Sequence, residues 1–130
     1  MLRLLMIVSG VFEALFGIAA IFATTSVTDA LGTGADPAVL FFARVLGAAA
    51  LGLGMAALLA RNELQTHGGL AAALGLTLYN LLAACIILWT AAELGGLSLW
   101  VTGIVHAVIG ILFVWALARR VPSWPSSVSP

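Results

Sequence analysis

Four apolar runs dominate the sequence, each about twenty residues long and each set off by a short polar break. They cover about Leu4–Thr24, Ala38–Ala60, Gly69–Ala91 and Leu97–Leu117. A helix needs about 20 apolar residues to cross about 30 Å of hydrocarbon. The runs therefore predict an all-α fold, an integral membrane antiparallel four-helix bundle. Of the 130 residues, 63% are hydrophobic and 8% charged, too few charges to clothe a soluble domain. Residues 1–118 are expected to form one four-span domain, and 119–130, with three prolines and four serines, a disordered cytoplasmic tail. The charges balance and no basic run exists, so the expected partner is the lipid bilayer and not nucleic acid. The lone cysteine, Cys85, excludes an internal disulfide and any CxxC site.

Charge placement orients the spans. Arg3, Arg61, Arg119 and Arg120 fall at the N-terminus, in the second connection and after the last span, which share one side of a four-span chain. The first and third connections hold no Lys or Arg. The positive-inside rule then places both termini in the cytoplasm. Trp89 and Trp100 are expected at the outer interface and Trp115 at the inner one. The first span begins like a signal peptide, but Glu13 interrupts its apolar run and no clean A-x-A site follows, so it is read as retained. Close helix packing is expected at Ala48, Gly52 and Ala56, with Gly47 and Gly54 nearby, and at Gly103 and Gly110, because small residues let helices approach in lipid.

Polar residues inside the spans carry the functional reading. At about 1.5 Å per residue, Glu13 lies about 14 Å from the cytoplasmic edge and Asn80 about 16 Å, with His106 at similar depth. Arg44 lies roughly 9 Å below the outer edge, free to point down or to snorkel up. Helical spacing puts Ser9, Glu13 and Gly17 on one face, Thr77, Asn80 and Ala84 on another, Thr102, His106 and Gly110 on a third, and Arg44, Ala48 and Gly52 on a fourth. A charge at mid-span costs about 2.5–3.5 kcal/mol on insertion scales, and such residues mark functional sites by default. Glu13, Arg44, Asn80 and His106 are the candidate catalytic residues, and Tyr79, Thr77, Thr102 and Ser9 the candidate ligand contacts. As an enzyme site, Glu13 and His106 would form an acid–base pair, Arg44 would stabilise developing negative charge, and Asn80 would orient the substrate. The competing reading is structural: a Glu13–Arg44 ion pair, and a hydrogen bond from His106 to Asn80 or Thr77. No metal is expected, because His67 sits at a membrane edge, out of reach of His106. No cofactor motif occurs. Glu63 and Glu93 read as solvated acids, and Ser26–Asp29 resembles a capping box opening a short helix over the outer mouth.

Ala43–Arg61 resembles the second helix of DoxX-like bacterial four-helix membrane proteins, with Arg44, Gly47, Leu51, Leu53 and Gly54 in the places of R-x-x-G-x-x-x-L-x-L-G. The resemblance implies a lipophilic small-molecule site or a role in a membrane redox or quinone-linked complex. A glutamate in the first of four spans is also similar to small multidrug-resistance transporters, from which Arg44, Asn80 and His106 depart. Three functions follow: a mid-bilayer pocket that binds, and by isomerisation or hydrolysis converts, a small lipophile; a proton-coupled exporter; or an accessory subunit. A homo-oligomer is compatible with each.

Overall fold

A computed structural model describes residues 1–119. Arg120 and the remainder of the expected tail lie outside the described residues. Five helices follow one another: α1 Leu2–Phe22, α2 Thr24–Ala30, α3 Pro37–Ala60, α4 His67–Leu94 and α5 Leu97–Ala118. All but α2 are long and apolar enough to cross a membrane. The described chain is an all-α bundle, as its apolar runs require.

Local signals set the helix ends. Asp36 accepts from Ala38 N at 2.8 Å, with Pro37 opening α3 behind it. Thr66 accepts from Gly69 N at 3.1 Å at the start of α4. The turn from α4 to α5 is Gly95–Gly96, both at positive φ, a conformation without penalty only for glycine. The short helix α2 is present, but the expected capping box is not used. The helix begins at Thr24, two residues before Ser26, and has no side-chain cap. Thr24 instead turns its hydroxyl back to Ala20 O at 2.7 Å, which ties α2 to the end of α1.

Two close helix pairs build the bundle, α1 with α3 and α4 with α5. In the first pair glycine meets glycine twice, two turns apart. A Cβ added to Gly17 would stand 2.6 Å from Gly47 O, and one added to Gly10 would stand 3.0 Å from Gly54 O. In the second pair leucines lie over glycines. A Cβ on Gly103 would meet Leu88 at 2.7 Å, and one on Gly110 would meet Leu81 at 2.8 Å. Small residues thus permit backbone approach where no hydrophobic force drives association. The face of α3 that does this is Gly47, Ala50, Gly54 and Ala57. Ala48, Gly52 and Ala56, expected there, are exposed. One residue turns about 100° around a helix, so a one-residue difference moves a stripe from the partner to the bilayer.

The bundle is layered along its axis. At the end bearing Arg3 and Arg61, the side chains of Leu2, Met6, Leu76 and Phe113 close a dry core. Above it Ser9, Glu13, Asn80 and His106 are all buried. Beyond that layer, toward α2, lies a space bordered by residues of all five helices. Large apolar side chains such as Leu15, Phe41, Leu59, Leu78, Ile86 and Ile111 cover the outside, the surface of helices in contact with a lipid bilayer.

Candidate functional site

Asn80 is the centre of the buried polar layer. Its Nδ2 donates to Leu76 O one turn back at 2.9 Å and to Ser9 Oγ on α1 at 3.4 Å. Its Oδ1 lies 2.9 Å from His106 Nδ1 on α5. One amide side chain therefore links three helices. The expected alternative of a hydrogen bond between His106 and Asn80 is realised in this contact.

Glu13 stands behind that link. It is 1% exposed, and its Oε1 lies 4.0 Å from His106 Nδ1. Among the described residues, Oε1 is the buried side-chain polar atom without a hydrogen-bond partner. The His106 ring is held between two aromatic neighbours, Phe12 at 5.7 Å and 77° and Tyr79 at 5.8 Å and 81°, both edge to face. Packing and hydrogen bonding together fix its orientation.

Above the polar layer lies a cavity of about 630 Å³. His106, Tyr79 and Thr102 form its polar side. Phe12 and Phe16 of α1, Leu46 of α3 and Ile86 and Ile87 of α4 form its walls, and Ser26, Val27 and Leu31 of the α2 segment its roof. A second cavity of about 650 Å³ lies between α2 and α3 and shares Phe16, Val27, Leu31 and Leu46 with the first. Among the described residues, no Asp, Glu, Lys or Arg lines either cavity. Such a space suits an uncharged, largely apolar molecule with one polar group.

The sequence-derived candidates divide into three groups. His106, Tyr79 and Thr102 face the cavity. Glu13, Asn80 and Ser9 are buried behind it. Thr77 and Arg44 lie apart. The Thr77 hydroxyl is spent on Ala73 O at 2.7 Å. Arg44 is exposed, and its Nε donates to Thr24 Oγ1 at 3.2 Å. The Glu13–Arg44 ion pair is therefore not formed. The physical reason is rotational: Arg44 shares the exposed face of Ala48 and Gly52 and directs its long side chain toward the α2 end. Glu93, read as a solvated acid, accepts a hydrogen bond from Trp89 Nε1. The apolar walls were not singled out from sequence, although Phe12, Phe16, Ala19 and Ala23 recur at helical spacing on one face of α1. Among the described residues, no group of three or more His, Cys, Asp or Glu side chains converges in a way that would hold a metal.

Compared with family models, curated proteins and solved structures, the chain finds no match.

Proposed function

We propose that the chain is a bacterial inner-membrane protein, with both termini in the cytoplasm, that binds a small neutral lipophile in the cavity above the Glu13–Asn80–His106 layer. The carrying observation is the junction of an uncharged apolar cavity with a buried, oriented histidine. Arg3, Arg61 and Arg119 at one end support the orientation, which opens the cavity to the outer leaflet. The likeness of Ala43–Arg61 to DoxX-like proteins favours a lipophile as the ligand.

The same arrangement supports acid–base conversion, such as isomerisation of the lipophile or hydrolytic opening. His106 is the group that touches the substrate and moves the proton. Asn80 positions the imidazole, and Glu13, whose Oε1 lies 4.0 Å from Nδ1, is the other proton-exchanging group of the pair. Tyr79 and Thr102 border the same polar side of the cavity. Arg44 has no part, in contrast to its expected role as an anion stabiliser. A cation exporter would present an acid to its path, and Glu13 is not among the cavity-lining side chains.

The test is native mass spectrometry of the purified protein, with identification of any co-purified lipophile. Wild type is expected to carry a defined neutral species, and alanine at Glu13 and at His106 to reduce its occupancy. A bare wild-type protein, or unchanged binding and turnover in both variants, leaves the accessory-subunit reading instead.

A further inference from the structure

The hydrogen bonds behind His106 decide what its ring presents to the cavity. Leu76 O is a backbone carbonyl and can only accept. The Asn80 atom facing it at 2.9 Å must therefore be the NH₂ group, which leaves Oδ1, an acceptor only, facing His106 Nδ1 at 2.9 Å. A contact of that length between two acceptors is unfavourable, so Nδ1 carries the proton and donates to Asn80. Glu13 Oε1, 4.0 Å from Nδ1, is a second oxygen on the same side of the ring. In the neutral imidazole the second nitrogen, Nε2, is then an acceptor. It has no hydrogen-bond partner among the described residues, yet it is not among the buried unsatisfied atoms. His106 lines the cavity, so this lone pair is what the ring offers a ligand.

The geometry points to a ligand that donates a hydrogen bond to His106 Nε2: a lipophilic alcohol, in preference to a ketone, ester or hydrocarbon of the same shape. The inference rests on the cavity being a lipophile site and adds its chemical class. The discrimination originates in Leu76 O and passes through Asn80, neither of which touches the ligand.

Two measurements test it on the full chain in lipid nanodiscs. The first is ¹⁵N spectroscopy of the two histidine rings, with His67→Gln assigning His67. The expected spectrum shows neutral His106 protonated at Nδ1, and protonation at Nε2 overturns the proposal. The second is saturable binding of lauryl alcohol, methyl decyl ketone and dodecane, corrected for empty nanodiscs. The alcohol is expected to bind about tenfold more tightly than the ketone, the effect of one buried hydrogen bond gained and one avoided mismatch. His106→Phe, which keeps an aromatic ring beside Phe12 and Tyr79, is expected to remove the preference while hydrocarbon binding persists. A ketone that binds as tightly as the alcohol contradicts the donor requirement and leaves the lipophile site standing. Absence of saturable binding by all three probes refutes the site itself, and the inference with it.

Discussion

At the scale of the residue, Asn80 is the side chain on which the polar layer depends. Replacing it with leucine removes the bonds to Ser9, Leu76 and His106 together. Hydrogen bonds between helices in lipid average about 0.6 kcal/mol each. Asn80→Leu is therefore expected to cost about 1–2 kcal/mol, measured by unfolding in a denaturing detergent titration. It is also expected to free the His106 tautomer. Asn80→Asp, similar in shape, keeps an acceptor toward Nδ1 but puts an oxygen against Leu76 O, so it is expected to lose stability as well. Much of this layer was legible in the sequence. Glu13, Asn80 and His106 enter the bilayer from identifiable interfaces on straight helices, so counting residues fixes their depth to within about a turn. Arg44 was legible in depth and not in direction. In a helix where glycine and alanine occur on every face, composition does not reveal which stripe meets the partner helix.

At the scale of the element, the glycine spacing decides how α1 and α3 pair. Gly17→Leu drives a side chain into Gly47 and Leu51 and is expected to yield no folded monomer, as judged by gel filtration and circular dichroism. Gly52 and Gly75 have no atoms outside their own helices within 4 Å of an added Cβ. Gly52→Ala and Gly75→Ala are expected to change stability by no more than about 0.5 kcal/mol. The contrast separates the packing stripe from the bilayer-facing one, which repetition of small residues alone did not do. The short helix α2 was legible as a helix, but its start was not. A hydroxyl turned back onto the preceding helix competes with capping, and Thr24 took that option. Arg44 anchors the same segment through Thr24. Arg44→Ala is expected to speed amide exchange across residues 24–30 and the release of a bound probe, while leaving the His106 tautomer unchanged. A shifted tautomer would place Arg44 inside the polar layer after all.

At the scale of the whole molecule, apolar side chains fill the bundle at one end, and a cavity lies among all five helices at the other. Met6, Leu76 and Phe113 do the filling near Arg3 and Arg61, and among the described residues no second such cluster lies near α2. A sequence states which residues fill a space more readily than it states that a space is left open, so the polar layer was legible and the cavity above it was not. The function proposed for the molecule requires a lipophile to reside in this cavity, floored by His106. The most direct measurement is photolabelling of the nanodisc-embedded protein with an alkyl diazirine, mapped by peptide mass spectrometry, with and without excess lauryl alcohol. Alcohol-protected labels are expected on Phe16, Tyr79 and Ile87, lost when Ala83, another cavity-lining residue, is replaced by tryptophan. Labels confined to the outward faces around Leu59 and Leu74, unprotected by the alcohol and unchanged in Ala83→Trp, would contradict it.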